Sequence, residues 1–196
     1  MGTRSLTVFI DEDSKKEIVV MYRQYDGYIE WYGMRLCEYL QSFEKVVNGI
    51  SGETTKIANG MSCLSAQVIM HMKSQITRYD YNNRVFNPET GETEPALIEG
   101  NHEGGIYLYP AGTRSVGEEY IYVVKCDNEK GITLEAYFAG SEGWTTKQGH
   151  TFPTRPDELI HKGLVLDNWF EQALAKEKVI HERKEAEWKA SQELKQ

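Results

Sequence analysis

Three arginines set against a short aromatic run are the residues in this chain best suited to chemistry. Arg4 lies in Gly2-Thr3-Arg4-Ser5, Arg23 precedes Tyr25, Asp26, Tyr28 and Trp31, and Arg114 lies in a second copy of the tetrapeptide, Gly112-Thr113-Arg114-Ser115. Guanidinium groups take phosphate or carboxylate through paired hydrogen bonds. An aromatic wall beside them can hold a flat ring. The expected site therefore comprises Arg4, Ser5, Arg23, Tyr25, Asp26, Tyr28, Trp31 and Arg114, and its expected partner is a small anionic ligand such as a nucleotide. Blander accounts stand beside this one: Asp26 as an internal ion-pair partner, Arg114 as a solvated loop arginine, and the aromatic run as a latch for the start of a helix.

Two strands must position these groups. Leu6, Val8 and Ile10 alternate with Thr7 and Phe9, and Ile18, Val20 and Tyr22 alternate with Val19, Met21 and Arg23, the period of paired strands. The polar stretch from Asp11 to Lys16 joins them as an antiparallel hairpin. If the hairpin is symmetric, Ile10 faces Glu17 and the open end brings Arg4 near Arg23. Like charges directly across a strand pair repel unless an anion or a carboxylate lies between them. The repeated tetrapeptide has no matching flanks and is not an internal repeat. It does place Arg114 beside a strand end, where it could join the other two.

The opening Met1-Gly2-Thr3-Arg4-Ser5 and the later Tyr25-Asp26-Gly27-Tyr28, with Gly33 following, resemble a family of small uncharacterised proteins of bacteriophages and bacteria. The likeness extends through Asn59-Gly60-Met61 and Gly117-Glu118-Glu119-Tyr120-Ile121-Tyr122 and spans most of residues 1–139. It brings no known reaction with it. What it implies is a phage-type accessory role in the host cytoplasm; taken with the arginine and aromatic cluster, one expected use is sequestering a host signalling nucleotide as an anti-defence measure.

Downstream, the apolar spacing predicts an amphipathic helix over residues 31–48, with Leu36, Cys37, Leu40, Phe43 and Val47 facing the sheet and Gly49 as its stop. A second helix begins at the Asn59 cap with Met61, Leu64, Val68, Met72 and Ile76 inward. Residues 78–104 form a protruding loop or hairpin with a turn at Asn87-Pro88-Glu89-Thr90-Gly91. Strands follow at 105–109, 120–126 and 132–138. Residues 140–163 read as a loop ending in a helical turn over 157–160. Asn168 with Glu171 starts a terminal helix whose first half docks through Trp169, Phe170, Ala173, Leu174 and Ile180, leaving a solvated or subunit-contacting tail with Trp188. The expected fold is α+β: a mainly antiparallel sheet of about five strands carrying two helices, with residues 1–166 as one domain and 167–196 as the terminal helix.

Composition narrows the function classes. The net charge is −8 and residues 168–196 are balanced, so the acidic excess lies in the remainder and argues against general nucleic-acid binding. No apolar run reaches membrane-spanning length and the start lacks a signal-peptide pattern, which predicts a cytoplasmic protein with no membrane partner. Cys37, Cys63 and Cys126 fit neither a disulfide framework nor a zinc knuckle. His71, His102, His150, His161 and His181 give no metal-ligand spacing, and no nucleophile elbow or phosphate-cradling glycine loop occurs. No cofactor, metal or catalytic residue is expected. A binder without turnover leads; an assembly or inhibitor module acting through the acidic surface, the 78–104 protrusion and the terminal helix, with homo-oligomerisation open, is the alternative, and a phosphodiesterase-like enzyme using Asp26 comes third.

Overall fold

The alternating strands pair as their period requires, and one unpaired residue fixes which side each shows. A computed structural model describes residues 2–47, 56–74, 79–97, 105–127, 131–140, 155–165 and 168–193. Strand β1 (Ser5–Asp11) runs antiparallel to β2 (Lys16–Arg23), with Ile10 opposite Glu17 as the symmetric hairpin demands. Phe9, however, faces Val19, so Ile18 bulges out and the register slips by one. Ser5, not Arg4, therefore lies across from Arg23. Because side chains alternate between faces, that slip sends Arg4 and Arg23 to opposite sides of the sheet. The expected convergence of these two arginines is thus corrected by a single β-bulge.

Two further short strands, β3 (Lys45–Val47) and β4 (Ile57–Asn59), pair in parallel, and β5 (Tyr79–Phe86) and β6 (Thr93–Leu97) form a separate antiparallel hairpin. Strands β7 (Ile106–Tyr109), β8 (Tyr120–Asp127), β9 (Gly131–Phe138) and β10 (Glu158–Leu164) complete a six-stranded sheet in the order β10-β9-β8-β1-β2-β7. The sheet is mixed: β1 and β8 are parallel and every other pair is antiparallel. The sixth strand is β10, where a helical turn is expected over 157–160. A bulge between Leu159 and His161 puts Ile160 and His161 inward in succession, which erases the alternation by which a strand is read.

Three helices cover the face that carries Phe9, Met21, Tyr122, Val124, Leu134 and Ala136. A one-turn π-helix (Ile29–Gly33) leads into α1 (Met34–Gln41), which buries Leu36, Cys37 and Leu40. This helix is shorter than expected, because Lys45–Val47 is drawn into the strand pair with Ile57–Asn59; Gly49, its expected stop, lies outside the described residues. Helix α2 (Gly60–Ser74) buries Met61, Leu64, Val68 and Met72 as its spacing predicts; Ile76, expected on the same face, lies outside the described residues. Helix α3 (Trp169–Glu193) docks through Trp169, whose indole N–H donates to the Leu134 carbonyl at 2.9 Å, and through Ala173. Burial holds the Cys37 thiol protonated, pushing its pKa up to about 12 with help from Glu171 and Glu38. Cys37 and Cys126 are buried and Cys63 part-buried, and none of the three is in a disulfide among the described residues. Among the described residues no helix is long and apolar enough to cross a membrane.

The opening tetrapeptide and the turn at residues 25–28 are one structural unit. The Gly27 amide donates to the Thr3 carbonyl at 2.9 Å, and its own carbonyl accepts the Tyr122 hydroxyl at 2.9 Å. A methyl group on Gly27 would stand 2.7 Å from Ser5 Cβ and Oγ and 2.9 Å from Ser5 N. Only a residue without Cβ lets the two backbones approach so closely. Asp26, just before it, turns the chain in the left-handed region at φ 54°. Gly27→Ala should therefore lower unfolding free energy in urea by about 2 kcal/mol or more, the scale of backbone overpacking. A loss below about 0.5 kcal/mol would contradict this contact.

Candidate functional site

The two faces of the sheet treat the three arginines differently. At the open end of the hairpin, the helix-covered face carries Ile106, Arg23, Ser5, Tyr120 and Phe138 in one row across β7, β2, β1, β8 and β9. The opposite face carries Tyr107, Tyr22, Leu6, Ile121 and Tyr137. Arg4 belongs to this second face, where its Nη1 donates a long hydrogen bond, 3.4 Å, to the Gly117 carbonyl.

Arg114 is occupied at the other end of the hairpin. Its two terminal nitrogens grip the Glu17 carboxylate at 3.1 and 3.0 Å, and the Gly112 amide adds a third bond at 2.6 Å. Residues 110–119 thus strap across the second face from Glu17 to Arg4, with Val116 packed on the Leu6, Val8, Val20, Ile121 and Val123 cluster. Neither arginine shares a pocket with Arg23; Arg4 reaches Gly117, two residues past the second Gly-Thr-Arg-Ser segment.

Arg23 itself is only 8% exposed. Its Nε donates to the Tyr25 carbonyl at 2.7 Å and its guanidinium lies 5.1 Å from the centre of the Tyr32 ring. Burial lowers its pKa, offset by Tyr32 and by Asp26, while Arg35 lowers it further. Asp26 is exposed, and among the described residues no carboxylate comes within ion-pair distance of Arg23 or Arg35. A buried cation without a counter-ion is costly. Ser5 Oγ, beside it in the row, is buried with no hydrogen-bond partner.

More basic and aromatic groups gather on this side. Arg35 of α1 stacks over Trp31 at 4.4 Å. His71 of α2 lies parallel to Tyr39 at 3.8 Å, and Phe43 meets Tyr39 edge-on. Lys73 reaches the Ile106 carbonyl at 3.5 Å, in the strand next to Arg23. Arg35, Glu38, Tyr39 and His71 line an open cleft of about 340 Å³, within the usual range for small-ligand sites. Burial and the nearby Arg35 charge both lower the His71 pKa. Tyr32 is fully buried, its hydroxyl 2.5 Å from Thr7 Oγ1.

Of the expected site residues, Ser5, Arg23, Tyr25, Asp26, Tyr28 and Trp31 are therefore gathered at one end, whereas Arg4 lies at that end on the opposite face and Arg114 at the other end. Tyr25 supplies its carbonyl, and its ring covers Gly2. Tyr28 packs on the core and its carbonyl anchors the π-turn. Sequence reasoning missed Arg35, Tyr39, His71 and Lys73. Trp31, Arg35 and Tyr39 recur at intervals of four, a helical stripe of aromatic and basic residues that was open to reading. His71 and Lys73 join only through the packing of α2 against the sheet and α1, which leaves no local signal.

Comparison of the chain with protein-family models, curated proteins and solved structures gives no match. The site's chemistry rests on its own geometry.

The Arg114 clamp sets a pH dependence of its own. Burial pushes the Glu17 pKa up, yet the Arg114 and Gly112 hydrogen bonds outweigh it and hold the group below its ordinary value of 4.5. A depressed carboxylate adds stability above its unfolded pKa and loses it as pH falls through the folded one. Glu17→Gln should flatten the stability loss below about pH 4.5 and change little at pH 7 beyond the clamp itself, a scale of about 1 kcal/mol for such a partly exposed pair. Acid titration by circular dichroism that gives superimposable curves for the two proteins would contradict the clamp.

Proposed function

We propose that this protein binds a small anionic ligand without turnover, with a nucleotide as the leading class, in the cleft between α1 and the end of α2. The observation that carries this reading is the buried Arg23, set near Arg35, with no carboxylate among the described residues at ion-pair distance from either. An anion in the cleft would pair with Arg35, which lines it, and offset the charge of the buried Arg23 behind it. The stacked Tyr39 and His71 rings line the cleft and could flank a flat ring at their edges, and the cleft volume suits a mononucleotide-sized molecule. Against an overall charge of −8, Arg23, Arg35 and Lys73 make this side a place where cations gather, with Glu38 also on the cleft lining. The role that fits such a binder is sequestration, in keeping with the accessory proteins that the opening motif resembles.

Calorimetry with pyrophosphate and a panel of linear and cyclic mononucleotides tests the reading. At least one should bind, Arg35→Ala should weaken it about tenfold or more, the scale of a lost charge-assisted hydrogen bond, and Arg4→Ala and Arg114→Ala should leave it unchanged. Binding should tighten as pH falls from about 7.5 to 6, since a bound anion favours protonated His71. Absence of any heat or melting shift across the panel would overturn the proposal, as would loss of binding in the Arg4 and Arg114 variants alone.

A second reading, an assembly module, draws on exposed apolar groups away from the cleft. Phe86, 66% exposed, and Val85 stand on the β5–β6 hairpin, whose turn is closed by Asn87 as its sequence implies, and Trp188, 61% exposed, stands on the α3 tail. On this reading the protein self-associates in sedimentation and Phe86→Ser with Trp188→Ser makes it monomeric. A wild-type monomer at high concentration would exclude self-assembly.

A further inference from the structure

Among the described residues that line the anion cleft, Glu38 has no part in holding an anion. It stands on α1 between Arg35 and Tyr39 and lines the cleft with them and with His71. Glu38 is exposed, and among the described residues no cation comes within ion-pair distance of it. An arginine and a carboxylate three residues apart on a helix are neighbours that can pair. Here Arg35 turns instead toward the preceding turn and stacks over Trp31 at 4.4 Å. Cation and carboxylate are thus left to serve different parts of the cleft.

A carboxylate beside a phosphate site repels the ligand that the site holds. It is compatible with binding where the ligand brings hydrogen-bond donors to it, because an ionised carboxylate accepts and never donates. Trp31 and Glu38 are separated along the helix by on the order of 10 Å, so a ligand whose phosphate meets Arg35 at the Trp31 side presents its far end to Glu38. At that end Tyr39, the next residue, and His71 lie parallel at 3.8 Å and offer their edges to a flat ring. The group that Glu38 meets is therefore the edge of a base.

The bases differ in what that edge offers. Guanine shows two adjacent donors, the N1–H and the N2 amino group, which match the two oxygens of one carboxylate. Adenine sets the N1 lone pair beside its N6 amino group, and cytosine the N3 lone pair beside its N4 amino group, so each would turn a lone pair toward a carboxylate oxygen. Uracil flanks its one N–H with two carbonyls.

We infer that Glu38 is a specificity-determining residue of the cleft and that the ligand is a guanine nucleotide, its base edge paired to the Glu38 carboxylate and its phosphate to Arg35. This rests on the anion-binding reading of the same cleft and narrows it from nucleotides at large to one base.

Calorimetry of the full chain with pyrophosphate and with the monophosphates of guanosine, inosine and adenosine tests it. The guanosine compound should bind about tenfold or more tighter than the adenosine compound, the scale of one two-bond base contact. The inosine compound, which keeps the N1–H and lacks the amino group, should fall between them. Glu38→Gln should level the three, because an amide offers a donor and an acceptor in place of two acceptors, and should tighten pyrophosphate, since a like charge leaves the cleft. A guanosine preference that is absent from the wild type, or that survives in Glu38→Gln, would overturn the inference. Equal weakening of all three nucleotides in Glu38→Gln would overturn it as well and would give the carboxylate to the sugar hydroxyls. Pyrophosphate binding without discrimination between bases would remove the guanine assignment and leave the anion reading standing, whereas no binding of pyrophosphate or of any nucleotide would remove both.

Discussion

Ile18 has no partner across the hairpin, and the side of the sheet on which every charged group at the open end appears follows from that bulge. Without it, Arg4 and Arg23 would lie face to face and repel. With it, Ser5 takes the place opposite Arg23, Arg4 moves to the far face, and Arg23 is buried under the helices. The close contact of Gly27 with Ser5 then locks this arrangement, because the turn that follows β2 rests directly on the start of β1. The π-turn, α1 and the cleft are all placed from that contact outward.

The energetic tension of the fold lies in the same spot. The buried Glu135, by contrast, is held below its ordinary pKa, against the upward push of burial, by Lys125, Lys162 and the Tyr137 hydroxyl. Glu17 has Arg114 and Gly112. Arg23 has one backbone carbonyl and a ring face. A buried arginine with no ion-pair partner among the described residues, beside a second cation, leaves an electrostatic field open to an anion.

Much of the fold was legible because its signals are local. The strands at 106–109, 120–127 and 131–138, the inward face of α2 and the docked first half of α3 follow from alternation and helical spacing. The 79–97 hairpin was open as one of two alternatives, and the Asn87 turn decided it. What sequence could not show depends on bulges and on tertiary pairing. Ile18 and Ile160 each disrupt the count on which register or strand identity is read, and the parallel pairing of β1 with β8 needs the crossing strap that no local pattern announces. The site suffered from the same blindness: Arg23, Trp31 and Ser5 were found because they flank one turn, Arg4 was misplaced by one residue of register, and His71 arrived from a helix two elements away.

Direct observation of the guanidinium resonances by NMR during titration with pyrophosphate bears on the central claim most closely. Saturable movement of the Arg23 Nε–H and the Arg35 guanidinium signals, with Arg114 unmoved on Glu17, is the result the buried-cation account requires. Signals of Arg23 and Arg35 that stay fixed, or shifts confined to Arg4 and Arg114, would contradict it.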